Sequence, residues 1–151
     1  YLIGQSPEVL VTRGAGPCAI VAVYQPCGKV GVLGHFATPG GSQNFSEMIG
    51  WVAANMKPND LEVIFAGISL DTHEPTNASK ELLEIFNRYS LGKRDYLVSA
   101  FGRLGVRQAM IRQMFSKPDT VADLSLDLAT GKVEITQESL KHVFESYSAQ
   151  L

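Results

Sequence analysis

The chain has 151 residues, 45% of them hydrophobic, and a formal net charge of −2. This length and composition suffice for one well-packed domain but not for two, so we expect a single domain over residues 1–151. The small excess of acidic residues argues against nucleic acid or an anionic membrane surface as a partner. The longest apolar run, Ala19 to Tyr24, is far shorter than the roughly 20 residues that cross a bilayer, so no membrane insertion is expected.

The hydrophobic pattern predicts an α+β fold, in which strands, hairpins and helices are mixed along the chain. The first predicted elements are a strand at 9–12, hairpin strands at 19–25 and 30–36, a helix that starts with a capping box at Asn44 and Glu47, and a strand at 61–66. The later ones are a helix with the apolar face Leu82, Ile85, Phe86 and Tyr89 that Gly92 ends, a strand at 96–100, a helical stretch at 106–117, hairpin strands at 124–128 and 132–135, and a last helix that Thr136 caps. We expect a mixed, largely antiparallel and sandwich-like sheet system with helices packed on its outside.

The geometry expected for the first hairpin brings two reactive side chains together. If Cys27 and Gly28 form the centre of its turn, His35 pairs with Ile20, and Cys18 lies diagonally beside His35 on the same face. Diagonal neighbours have Cα atoms roughly 7–8 Å apart, which a thiol and an imidazole can bridge. A register shift of one residue would separate them.

The segment before Cys18 is rich in glycine. Gly14 and Gly16 let the backbone approach a ligand closely, and Pro17 directly precedes the thiol, whose own N–H stays free to donate. These features are typical of an oxyanion site, with His35 as the base that activates the thiol. The plain alternative is an inert buried cysteine and a histidine that satisfies a core hydrogen bond. The residues alone leave both interpretations open.

Two cysteines could form a disulfide, but Cys18 and Cys27 lie at opposite ends of the strand at 19–25. That places them about 25–30 Å apart, whereas a disulfide needs Cα atoms within ~7 Å, so none is expected. Unpaired cysteines are typical of a cytoplasmic protein, and delivery from there as a secreted effector stays open. Because the sequence begins at Tyr1 and not at Met, earlier removal of an N-terminal segment also stays open.

Three stretches resemble the signature of the CheD family, which are chemoreceptor glutamine deamidases related to the deamidating domains of cytotoxic necrotizing factor-type toxins. The stretches are Val11-Thr12-Arg13-Gly14-Ala15-Gly16-Pro17-Cys18, Tyr24-Gln25-Pro26, and Gly34-His35-Phe36 followed by Pro39. The resemblance implies that Cys18 is the nucleophile, His35 the general base, and Thr12 the residue that orients the imidazole. Gly16, Pro17, Gly34 and Phe36 are then candidates for substrate or oxyanion contacts. Pro17 stands where the family has serine.

The resemblance implies a protein-glutamine deamidase whose partner is a protein substrate, either a chemoreceptor-like protein or a host signalling protein. Two alternatives remain: a non-enzymatic adaptor with the same fold, and a cysteine amidase or peptidase that acts on a small amide. The sequence contains no HExxH, CxxC, Walker or dinucleotide motif, so we expect neither a metal nor a cofactor. It indicates no oligomeric state.

Overall fold

The computed structural model describes residues 1–72, 77–143 and 146. Over these residues the strands are β1 Leu2–Gln5, β2 Val9–Ala15, β3 Ala19–Gln25, β4 Val30–Phe36, β5 Glu62–Gly67, β6 Ile111–Phe115, β7 Thr120–Asp127 and β8 Val133–Ser139. The α-helices are α1 Gln43–Asn55 and α2 Asn77–Arg103, and short 3-10 turns lie at Pro39–Gly41, Pro58–Asp60 and Gln108–Met110. The predicted α+β class is confirmed.

The described strands form two sheets. The large sheet has the order β1-β4-β3-β5-β6, and the small sheet has the order β2-β7-β8. Neighbouring strands are antiparallel except β5 and β6, which pair in parallel. The predicted, largely antiparallel arrangement is therefore confirmed.

The large sheet has a hydrophobic core on each face because successive side chains of a strand point to opposite sides. From β3, Ile20, Ala22 and Tyr24 enter the core between the two sheets, whereas the residues between them enter the core under the helices. We call these the inter-sheet core and the helix-side core. The molecule therefore has three layers, namely the small sheet, the large sheet and the helices, in agreement with the predicted outer position of the helices.

Helix α1 starts two residues before the predicted capping box. Ser42 is its N-cap, and the hydroxyl of Ser42 accepts a hydrogen bond from the N–H of Phe45 at 3.2 Å. The prediction of Asn44 as the cap was wrong, because serine is an equally good cap and precedes it. Phe45, Met48 and Val52 are buried against the large sheet, which fixes α1 on its outside.

Helix α2 is one continuous helix, so the predicted end at Gly92 and the predicted strand at 96–100 were wrong. Its C-terminal half presents Leu97, Ala100 and Phe101 at helical spacing, and all three lie in the helix-side core. This burial outweighs the roughly 1 kcal/mol that a glycine costs inside a helix. The N-terminal half leaves its predicted apolar face exposed to solvent.

The segment after Gly105 was predicted as a helix but contains β6. Its backbone pairs with β5, placing Ile111 opposite Val63 and Phe115 opposite Gly67. Ile111 and Phe115 pack against the helix-side core. The spacing of apolar residues wrongly indicated a helix here. The backbone of this segment is hydrogen-bonded to β5 in a parallel pair, and a partner so distant in sequence leaves no local pattern.

The last hairpin is confirmed, with Gly131 in the left-handed region at φ +75°. Thr136 does not cap a helix: it lies inside β8 opposite Asp123, and the chain becomes helical only at 140–143. Residues 73–76, with His73, and the predicted helix positions Phe144 and Tyr147 lie outside the described residues. None of the helices in the described ranges combines the length and apolar character needed to cross a membrane.

Candidate functional site

The register predicted for the first hairpin is confirmed. Ile20 pairs with His35 and Ala19 with Phe36, so the strands close around the turn at residues 26–29. Cys18 directly precedes β3, is half-buried, and packs against the inter-sheet core, where Ile20 also lies. The thiol and the imidazole therefore share the inter-sheet side, at the end of the hairpin away from its turn.

Thr12 meets His35 across the gap between the two sheets. The Thr12 hydroxyl on β2 lies 3.1 Å from Nδ1 of His35 on β4. Because this contact occupies Nδ1, Nε2 is the ring nitrogen left for proton exchange. His35 is exposed to solvent at the rim, yet the protein around it lowers the pKa of its imidazole by desolvation. A neutral ring at pH 7 can accept a proton from a thiol.

Cys18 and His35 occupy the expected diagonal positions, but no hydrogen bond joins the sulfur to the ring among the contacts of the described residues. Catalytic hydrogen bonds are often long before substrate binds and tighten in the complex.

The three backbone carbonyls of residues 16–18 all accept hydrogen bonds. The carbonyl of Gly16 accepts from the N–H of Ser69 at 3.0 Å, and that of Cys18 accepts from the N–H of Ile68 at 2.9 Å. The carbonyl of Pro17 accepts from Nζ of Lys93 at 3.2 Å. Within the described part of the chain, the N–H groups of Gly16 and Cys18 donate to no acceptor. Free backbone N–H groups beside a thiol are the kind of donor that an oxyanion site uses.

Three elements hold this loop in place. Gly67 ends β5 with φ +72°, and a Cβ atom there would lie 2.3 Å from the carbonyl oxygen of Cys18. Only glycine therefore allows the segment at 67–69 to bond the loop so closely. Arg94 on α2 supports that segment by donating from Nη2 to the carbonyl of Ile68 at 2.6 Å. On the other side, the N–H of Gly14 donates to Oδ1 of Asp123 on β7 at 2.8 Å.

Helix α2 also forms a cavity beside the loop. The cavity has a volume of about 460 Å³, and its lining includes Tyr89, Lys93 and Tyr96 from α2 and Thr38 from the segment after β4. Lys93 connects the cavity to the loop at 16–18, since its Nζ donates to the carbonyl of Pro17. The apolar walls and the adjacent donors could take the side chains that flank a reacting group.

Gly34 and Phe36, two of the predicted contact residues, belong to the other face of β4. Phe36 is 4% exposed and packs edge-to-face on Phe45 in the helix-side core, with ring centroids 5.2 Å apart. A Cβ atom at position 34 would lie 2.3 Å from the ring of Phe36. Alternation along β4 therefore turns both residues away from the side of His35, and their role as substrate or oxyanion contacts stays a prediction.

Both cysteines are free, as predicted, and Cys27 is exposed at the hairpin turn. Among the described residues, no cluster of three or more His, Cys, Asp or Glu side chains is arranged to hold a metal ion. The chain matches none of the models of known protein families, and no curated protein matches its sequence. The resemblance to the CheD family therefore stays a prediction.

Sequence reasoning missed Lys93. The helix was expected to end at Gly92, which would have placed Lys93 and Arg94 in a turn rather than facing the loop at 16–18. A signal was present in the spacing of Leu97, Ala100 and Phe101, which continues a helical face past the glycine.

Proposed function

We propose that the chain is a cysteine-dependent protein-glutamine deamidase. The observation that carries this proposal is the 3.1 Å contact between Thr12 and Nδ1 of His35, with Cys18 diagonal to His35 on the same side of the sheet. A nucleophile, a base and a group that orients the base are the three parts that thiol-dependent acyl transfer needs.

The first half of the reaction forms a thioester. In the required tautomer, Nδ1–H of His35 donates to the Thr12 hydroxyl, which leaves Nε2 free to accept the proton of the Cys18 thiol. The thiolate attacks the carboxamide carbon of glutamine, and the N–H groups of Gly16 and Cys18 donate to the developing oxyanion. Protonated His35 then gives its proton to the departing ammonia.

The second half hydrolyses the thioester. His35 removes a proton from water, the resulting hydroxide attacks the thioester carbon, and the sulfur leaves as thiolate and regains a proton. The products are a glutamate side chain and the free enzyme. No step uses Pro17 as a donor, since proline has no N–H, and its carbonyl is already bonded to Lys93.

A protein substrate is favoured over a small amide by the surface next to the thiol. The cavity along α2 is continuous with a row of exposed apolar side chains, since Ile85 and Tyr89 belong to both. Leu82, about one turn before Ile85 and two turns before Tyr89 on the same face, is 68% exposed. Such a surface suits a polypeptide that carries the reacting glutamine.

Deamidation of candidate protein substrates tests the proposal. Wild type, Cys18→Ser and the matched control Cys27→Ser would be incubated with the cytoplasmic domain of a bacterial chemoreceptor and with a panel of purified signalling proteins, followed by mass spectrometry of glutamine-containing peptides. Conversion of glutamine to glutamate is expected with wild type and Cys27→Ser. Loss to background is expected with Cys18→Ser, because the hydroxyl pKa is too high for neutral His35 to generate the nucleophile.

The exposed apolar face of α2 specifically favours a second candidate, a non-enzymatic adaptor that binds a protein partner. The adaptor hypothesis replaces the deamidase if no protein of the panel is deamidated, while pull-downs recover the same partner equally well with wild type and Cys18→Ser. A deamidated peptide that depends on Cys18 excludes it as the sole function.

A further inference from the structure

The side chain of Lys93 reaches from α2 to the residue before the proposed nucleophile. Its Nζ donates to the carbonyl of Pro17 at 3.2 Å and lies 5.2 Å from the ring centroid of Tyr89. Lys93 is half-buried, and no carboxylate of the described residues pairs with it. The ammonium therefore lies between an aromatic ring and the backbone carbonyl that directly precedes Cys18.

Within the described ranges, the charged or titratable side chains that we relate to Cys18 and its loop lie on β4, α2 and β7. β4 contributes His35, α2 contributes Lys93 together with Arg94, and β7 contributes the carboxylate of Asp123, which accepts from Gly14 at the start of the loop. Desolvation lowers the pKa of His35, so its ring is neutral at pH 7. Arg94 acts one residue further away, through the carbonyl of Ile68. Of the cations in the described part of the chain, Lys93 is the one that hydrogen-bonds to the loop at 16–18.

We propose that Lys93 is a positioning residue for the nucleophile, which holds the Pro17 carbonyl and favours the thiolate form of Cys18 by its charge. The proposal deepens the proposed function and rests on Cys18 being its nucleophile. Burial lowers the pKa of Lys93 while neighbouring Cys18 raises it. The proposal requires that Lys93 stays an ammonium while His35 takes the proton.

Two distinct roles follow for the two basic groups. His35 takes the proton as the S–H bond of Cys18 breaks and an N–H bond forms at Nε2. Lys93 stays protonated throughout and stabilises the negative sulfur that results. A neutral base alone forms little thiolate before substrate arrives, whereas a fixed cation beside the sulfur increases that fraction.

The experiment measures the alkylation rate of Cys18 by iodoacetamide as a function of pH, in a Cys27→Ser background so that one thiol reacts. Lys93→Met is expected to move the midpoint of the rate profile to higher pH and to slow alkylation at pH 7 by about threefold to tenfold. Lys93→Arg should keep the midpoint near that of wild type, because it keeps the charge and a donor. Lys80→Met, an exposed site on the same helix about 20 Å away along its axis, should change nothing.

The result that overturns the proposal is a midpoint in Lys93→Met equal to that of wild type. A shift of equal size in Lys93→Met and Lys93→Arg also overturns it, since packing and not charge would then be responsible. If Lys93→Met shows no cooperative unfolding, the alkylation midpoint of wild type is measured at low and at high salt instead. Only a midpoint that moves to higher pH as salt is added supports a charge effect. Alkylation needs no substrate, so failure of the deamidase assay leaves this result unaffected.

Discussion

The two faces of β4 show how one strand serves both chemistry and stability. On the inter-sheet side, Leu33 is buried and His35, two residues later, is exposed, although Thr12 of the small sheet contacts its ring. On the helix side the cover continues, and Phe36 is enclosed by Phe45 from α1. A single step along the strand therefore separates a residue that can exchange protons with solvent from one that is fixed in the core.

This difference predicts that substitutions on the helix side affect folding most. Phe101 is fully buried and packs on Phe65 with ring centroids 5.5 Å apart. Phe101→Ala should lower the free energy of unfolding by about 3–5 kcal/mol, because it removes buried surface and leaves a cavity. Urea denaturation measures the loss. Phe86→Ala, on the exposed half of the same helix, is the control and should cost about 0.5 kcal/mol or less; similar losses for both variants would contradict the division of α2.

On the inter-sheet side, loss of Thr12 should affect activity and not folding. Thr12→Val removes the hydroxyl that orients His35, and kcat/KM for glutamine deamidation is expected to fall by about tenfold to one hundredfold, equivalent to ~1.4–2.7 kcal/mol. Thr12→Ser should recover most of the rate. Thr136→Val on exposed β8 is the matched control in the same sheet. Unchanged kcat/KM in Thr12→Val would remove Thr12 from the site.

A smaller effect is expected from pH. Because desolvation lowers the pKa of His35, the unfolded chain takes up a proton near pH 6.5 while the folded chain does so only at lower pH. The free energy of unfolding should therefore decrease as pH falls below 6.5 and stop changing through this group once pH is below the folded-state pKa. His35→Gln should lack this component. An NMR titration of the imidazole that gives a midpoint at or above 6.5 would contradict the assignment.

The sequence predicted the hairpin and its reactive pair because both depend on local rules. A short turn and strand alternation determine the register that places Cys18 beside His35. The sequence did not predict the full length of α2, because Gly92 indicated an end that the burial of Phe101 overrides. It also did not predict β6, because the strand with which β6 pairs is distant in sequence. Strand β1 was also missed, since exposed Leu2 and Ile3 show no alternation. Lys93 could not be assigned before the course of α2 was known.

The proposed triad combines contacts of very different range along the chain. Cys18 and His35 come from one hairpin, a structure that forms in about 1–10 μs in isolation. Thr12 is held by β2, whose neighbour in the small sheet is β7; the bond from Gly14 to Asp123 spans 109 positions. Such distant pairings are slow to form, because a long loop must close before any contact stabilises it. During refolding, the thiol of Cys18 and the imidazole of His35 should therefore come together early. Thr12 should complete the site later, when β2 has paired with β7. Recovery of deamidation before the β2 amides are protected from hydrogen exchange would exclude this order.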